Sequence, residues 1–281
     1  MPTFDTPAPI SASIDVIAGD IRIIASDRAD TVVEVRPRDE SNSMDQRTAA
    51  QTRVTYANGK LVVKTPKPLQ AYFGNKSTGV DVTVELPTGS QVSGTTNQGD
   101  LRCDGEVGDC ALRTYHGDVT VHRAATVKLS TTHGRIVVDR VARDAQVTGS
   151  GDLQITEVGG AANVKNLNGP SWIGQVGGDI RVNSAHGDIT IHRAGRQVTA
   201  RTANGNVHLV EVGGGAVVLQ TASGDIDVGV RPGVAVWLDV KSSSGRVLSE
   251  LRPGDAPEDP KESAQIRART WAGDIVIRRA T

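Results

Sequence analysis

Apolar and polar residues alternate in short runs along most of this chain, and the runs restart at regular intervals. Glycines mark the restarts. They fall at Gly99, Gly117, Gly134, Gly151, Gly169, Gly187, Gly205, Gly224, Gly245 and Gly273, with intervals of 18, 17, 17, 18, 18, 18, 19, 21 and 28 residues. Six of them are followed by aspartate: Asp100, Asp118, Asp152, Asp188, Asp225 and Asp274. Gly169 is set aside, because Pro170 disturbs its strand. Two residues after the other glycines stand Leu101, Val119, Ile136, Leu153, Ile189, Val207, Ile226, Val247 and Ile275. Four residues after come Cys103, Val121, Val138, Ile155, Ile191, Leu209, Val228, Ser249 and Ile277, and only Ser249 breaks the column. Polar residues fill most places between. That alternation predicts a strand with one buried face.

A second strand fills the other half of each period, with pairs such as Val127 and Leu129, Val198 and Ala200, and Val217 and Leu219. Three residues before the glycine comes a small polar group, among them Thr114, Thr131, Asn166, Ser184, Thr202, Thr221 and Ser242. Each coil of ~18 residues therefore holds two strands and two bends, and cannot bury its narrow apolar faces alone. Stacking coils ~4.8 Å apart, strand on parallel strand, makes those faces continuous. The predicted fold is all-β: a single-stranded parallel β-solenoid, or β-helix, of about ten coils. Glycine at the bend permits φ > 0. The following aspartate is expected to cap its own turn locally, and the hydroxyl column to form a ladder of its own. A β-sandwich or propeller fits less well, because no period of ~40 residues is present.

The ends are less regular. Ile14, Val16, Ile21 and Ile23 flank Gly19-Asp20 as one early coil. Arg36 to Gln51 is polar, a loop or short exposed helix, and Val54 and Tyr56 turn at Asn58-Gly59 into Leu61 and Val63. Thr65 to Thr78 reads as a loop carrying Tyr72 and Phe73. The expected divisions of one continuous domain are irregular coils and cap over 1–79, a regular array over 80–251, and an acidic, proline-rich loop with a final capping coil over 252–281. Irregular ends suit a solenoid, whose open edges otherwise invite strand addition.

Composition narrows the chemistry. The 281 residues carry 31 Lys and Arg against 32 Asp and Glu, a balance that points away from nucleic acid. With three Trp, three Tyr and two Phe, the core must be aliphatic. Cys103 and Cys110 are too few for a disulfide framework or a zinc site and read as small buried hydrophobes. Neither a signal-peptide pattern nor a membrane-spanning run is visible, so the chain as written is expected in the cytoplasm.

The recurring Thr-x-x-Gly-Asp-[Ile/Val]-x-[Val/Ile] pattern stands at Thr114–Val121, Thr221–Val228 and Thr270–Ile277. It resembles the bacterial putative-adhesin family, a β-strand-repeat domain. The segment Val80 to Pro87 also looks like that family's entry into its array. The resemblance implies a repeat fold over nearly the whole chain and, from the family name, surface adhesion. It transfers no catalytic residues.

Histidine is the best place to look for a site. His116, His133 and His186 share the position just before the turn glycine, and His116 and His133 lie on adjacent coils. His122 and Asp139 are neighbours in the column five residues after it. Either pair is a candidate for acid–base work. Solvated bend residues are the plainer account, because the first column continues as Ser150, Asn168, Asn204 and Ser223. The aspartate column reads as turn capping, since the calcium-binding Gly-Gly-x-Gly-x-Asp nonapeptide is missing. No nucleophile elbow, zinc-protease motif or phosphate loop appears, and no cofactor or metal is implied. Trp172 falls where the strand normally holds an outward polar residue: either the core rearranges around Pro170 to take it in, or it faces out and is the first suspect for contact with a partner.

Two functions fit. The favoured one is a non-enzymatic binding or scaffold protein, with a protein partner or self-association and no nucleic acid or membrane span. The alternative is an enzyme acting on a sugar or peptide from a solenoid-face site built on His116, His133, His122 and Asp139. A small-molecule substrate stays open, and the two separate on whether those residues converge.

Overall fold

A computed structural model describes residues 1–66, 78–251 and 262–280. Most of the Thr65–Thr78 loop, including Tyr72 and Phe73, lies outside the described residues, as does nearly all of Arg252–Glu262. The fold is the expected all-β solenoid, with one helix. The chain separates into two compact units, Met1–Arg140 and Val141–Thr281.

The first unit begins with β1 (Thr3–Asp5), β2 (Ser11–Asp15), β3 (Ile21–Ser26) and β4 (Asp30–Pro37). The helix α1 (Ser43–Gln51) follows, then β5 (Arg53–Ala57), β6 (Lys60–Lys64) and β7 (Val80–Pro87). The regular coils are β8 (Gln91–Gln98), β9 (Leu101–His116), β10 (Val119–His133) and β11 (Ile136–Val141). Pairing does not follow chain order. β2 lies between β6 and β8, and β3 between β7 and β9, all parallel. The earliest coil is thus second in its stack, and β7 does not meet the array directly. The outermost coil, β6 and β7, is covered by antiparallel strands: β5 along β6, and β4 along β7 with β1 beyond it. Asn58, at φ 51°, and Gly59, at φ 72°, make the tight turn of the β5–β6 hairpin. The expected exposed helix is α1, capped by Asn42, whose side chain accepts from the Met44 N–H. Its buried Asp45 accepts from the N–H of Gly79 at 3.0 Å and ties the helix down.

The second unit contains β12 (Ala145–Gly149), β13 (Leu153–Val158), β14 (Ala162–Asn168), β15 (Ser171–Val176), β16 (Ile180–His186) and β17 (Ile189–Ala194). It continues with β18 (Gln197–Asn204), β19 (Val207–Val212), β20 (Gly215–Ser223) and β21 (Ile226–Val230). Last come β22 (Ala235–Ser244), β23 (Val247–Ser249), β24 (Ser263–Ala272) and β25 (Ile275–Arg279). One row of parallel strands runs β14–β16–β18–β20–β24–β22, and the other β13–β15–β17–β19–β21–β25–β23. The final coil of the sequence, Ala264 to Arg279, was expected to cap the array. It does not. It is inserted between the coil of β20–β21 and the coil of β22–β23, which lies outermost.

Inward side chains supply a thin aliphatic core, with Leu129, Ile155, Val164, Ile173, Ile191, Leu219 and Ile277 all but inaccessible. The turns lock coil to coil. A Cβ on Gly117 would stand 2.1 Å from the carbonyl oxygen of Gly99, and the residue's φ is 146°. Only glycine fits so close a backbone approach in that conformation. The aspartates that follow do not cap their own turns. Asp20 accepts from the N–H of Asp100 at 2.9 Å, Asp100 from Asp118 at 2.8 Å, and Asp118 from Arg135 at 2.7 Å, each on the next coil. The hydroxyl column also reaches between coils, to turn carbonyls and not to neighbouring hydroxyls. Thr114 donates to Gly99 at 3.1 Å, Thr221 to Gly205 at 2.9 Å and Ser242 to Gly273 at 2.8 Å. In these coils a neighbouring turn supplies a fixed acceptor, whereas a hydroxyl opposite a hydroxyl must compete for one proton. The Ser184 hydroxyl is the exception and is left without a partner among the described residues.

Candidate binding face

The outward residues of β16, β18, β20, β24 and β22 form registered rows across the second unit. One row, two residues before the turn glycine, reads Ala185, Ala203, Ala222, Trp271 and Ser243. Leu167 of β14 continues it beyond Ala185. Three alanines give a flat floor with no side chain to block it. Trp271 closes one end at 72% exposure, and Leu167 stands at the other at 61%. Four strand spacings separate the two, about 19 Å.

Beside the floor, two residues further from the turn, runs a second row: Lys165, Asn183, Arg201, Gln220, Arg269 and Lys241. Arg269 is held by Asp239, Nη2 to Oδ1 at 2.7 Å. Arg267 reaches the same carboxylate at 3.0 Å, and the pair holds Asp239 below the usual carboxylate range, Arg269 contributing most. Lys165, Arg201 and Lys241 form no ion pair among the described residues. On the floor's other side stand Asn168, His186, Asn204 and Ser223, with the Asn204 amide 3.1 Å from His186 Nδ1. The result is a trough with an apolar bottom, one basic bank and one bank of amides, hydroxyls and imidazole, open to a ligand lying across the strands.

A second groove, on the bend of Gly159, Gly177 and Gly195, is neutralised internally. Arg193 pairs with Glu211 at 2.7 Å, and Arg231 contacts both Glu211 and Glu262. No charge in that cluster of Arg193, Glu211, Arg231 and Glu262 stands free to meet a ligand.

The histidine candidates are placed as their columns required. The rings of His116 and His133 stack, with centroids 4.9 Å apart and planes 6° from parallel. His122 Nε2 stands 4.0 Å from Asp139 Oδ2, with about half of each side chain exposed. The two pairs do not converge: His116 and His133 end their strands at the turn, whereas His122 and Asp139 lie beyond the inward pairs that follow it. Both face open solvent, which leaves a bound substrate without walls to orient it or exclude water. Among the described residues, no group of three or more His, Cys, Asp or Glu is disposed to hold a metal ion.

Trp172 does point outward, on β15, between Gln154 and Thr190 of the flanking strands. It is 38% exposed because its ring lies back over Gly174, where an added Cβ would meet Cη2 at 3.2 Å. Ser171 takes the inward place that Leu153 and Ile189 hold on either side, and Asn166 donates to its hydroxyl at 3.1 Å. Trp271 and Trp237 are far more exposed, and column counting passed over both. The signal was present: Trp271 falls in the outward column that holds Ala185, Ala203 and Ala222.

The family model described as Toastrack DUF4097 matches residues 11–279, and the chain belongs to that family. No curated protein matches it. Among solved structures, a putative cell adhesion protein from Clostridium sporogenes is similar at 8% identity and TM-score 0.22, over 99% of this chain and 98% of that one. A putative adhesin from Parabacteroides distasonis is similar at 12% identity and TM-score 0.36, over 98% and 95%. One from Bacteroides fragilis gives 12% identity and TM-score 0.33 over the same shares. These likenesses are too distant to bear on what the trough holds. No helix among the described residues is long and apolar enough to cross a membrane.

Proposed function

We propose that this protein is a non-enzymatic binding module that holds an extended, negatively charged partner in the trough of the second unit. The observation that carries the proposal is the unpaired cation of Arg201 beside the exposed ring of Trp271 and a bare alanine floor. A monomer gains nothing by leaving such a charge unmatched next to an open tryptophan, whereas charge and an aromatic anchor together are what a partner site uses. All strands beneath the floor are already paired, so recognition there falls to side chains.

The test is binding of polyglutamate and of a polyuronate, with a neutral glucan as control, to the wild type and to Arg201→Glu/Trp271→Ala. Binding to an acidic polymer that weakens with salt and falls at least tenfold in the variant supports the trough. Equal binding by both proteins, or none to either acidic polymer, overturns it. Trp172→Ala reads the other strand row independently. A protein partner lost with that variant, and kept by the trough variant, would place the contact on β15.

A further inference from the structure

We propose that the outermost coil of the second unit, β22 and β23, is covered by the same coil of a second copy of this chain, paired antiparallel about a two-fold axis at Val240. Among the described residues β22 is hydrogen-bonded only to β24, and β23 only to β25, so each leaves one edge of backbone N–H and C=O groups unpaired by them. Such an edge, ten residues long in β22 and without proline, is a ready template for another strand. In the first unit the corresponding edges are covered by β4 and β5.

The side chains point the same way. Val236, Leu238 and Val240 occupy inward positions, opposite Ala264, Ile266 and Ala268. Those three partners are 3%, 0% and 0% exposed, whereas the β22 residues are only half-buried and Val247 of β23 is 42% exposed. They are core residues that lack the next layer. Residues 252–261 do not have the composition to supply it: they hold three prolines, Pro253, Pro257 and Pro260, and five charged residues, Arg252, Asp255, Glu258, Asp259 and Lys261, with one alanine and one glycine. Proline has no N–H to give a strand edge.

Parity and charge choose the register. An antiparallel pair that keeps inward residues facing inward must centre on a residue. Centring on Asp239 would set two carboxylates face to face, which destabilises a sheet. Centring on Val240 sets Asp239 of each copy, already held by Arg267 and Arg269, opposite Lys241 of the other, so opposite charges face each other and like charges do not. The two-fold contact closes on itself, so a dimer is expected and not a fibre.

Sedimentation equilibrium on the full chain tests this, together with Leu238→Glu and, separately, Val240→Cys. A concentration-dependent dimer, lost in Leu238→Glu while circular dichroism keeps the fold, is expected. Val240→Cys is expected to form a disulfide-linked dimer under mild oxidation, because the two Cα atoms meet at the axis within reach of a disulfide. A wild type that stays monomeric through the micromolar range overturns the proposal. So does a dimer that survives Leu238→Glu, or one that resists linking through Val240→Cys. Binding of acidic polymers by the monomeric variant is read separately, so failure here does not touch the trough.

Discussion

The Oδ1 of Asp225 accepts a hydrogen bond from the backbone N–H of Asp274 at 2.7 Å, across 49 residues of sequence. Asp274 in turn accepts from the N–H of Arg246 at 2.8 Å. Those two bonds record the stacking order directly: the coil of Asp225, then the last coil of the chain, then the coil that precedes it in sequence. Asn206 serves the same place one coil earlier, with Oδ1 accepting from Asp225 at 2.8 Å. An acceptor oxygen is therefore the requirement, and a negative charge is not.

Asp225→Ala should accordingly lower stability by about 1–2 kcal/mol, since it leaves an N–H of the next coil without its acceptor. Asp225→Asn should recover most of that loss. Urea unfolding of the two variants beside the wild type decides it, and an asparagine variant as weak as the alanine one would count against the ladder.

Gly224→Ala should be the harsher change. Its Cβ would stand 2.1 Å from the carbonyl oxygen of Gly205, in a backbone conformation of φ 144°. The coils would have to separate locally, and a loss of about 3 kcal/mol or more is expected in thermal or denaturant unfolding. Gly233, also at positive φ (83°) but with open space around it, is the control for a positive-φ glycine without the close approach.

The thiols should be silent. Cys103 and Cys110 are free and essentially inaccessible, and the Cys110 thiol is pushed up by the neighbouring Cys103 thiol and by burial. A thiol reagent should modify neither in the native protein and both in denaturant. Rapid labelling under native conditions would show that the core opens far more readily than its packing implies.

Acid should loosen the outer coil late. Asp239 is held down chiefly by hydrogen bonding from Arg269, and Asp274 chiefly by the backbone N–H of Arg246. A carboxylate with a depressed folded value contributes stability that is present above its unfolded value and lost as pH falls through the folded one. Hydrogen-exchange protection of β22, taken relative to the intrinsic amide rate at each pH, should hold steady through the neutral range and fall only below the ordinary carboxylate range. Loosening already evident at about pH 6 would contradict this assignment.

The solenoid was legible because its two demands, a glycine at each turn and apolar residues at inward places, repeat in every coil. Leu101, Val119 and Leu153 could be aligned by counting alone. The order of coils could not, because counting assumes that each coil lies on the one before it. Two departures marked the exception: the 28-residue interval from Gly245 to Gly273, and Ser249 in an otherwise apolar column. Ser249 belongs to the outermost coil, where an inward place is partly wet and a hydroxyl costs little. The trough was half visible in the same way. Its alanines and Trp271 share a column, but their standing beside unpaired Arg201 depends on register, which column counting alone did not supply.

The displaced order of the last coils also has a consequence for synthesis. Up to Val230, each coil of the second unit can settle on its predecessor as it leaves the ribosome. Residues 235–249 then emerge with no surface made to receive them, because β24 and β25 must come first. Vectorial growth of the stack halts there, and β22 and β23 are placed only after β24 and β25 have been made. Completing this stack thus requires a later coil to slip beneath an earlier one, not a simple extension along the chain.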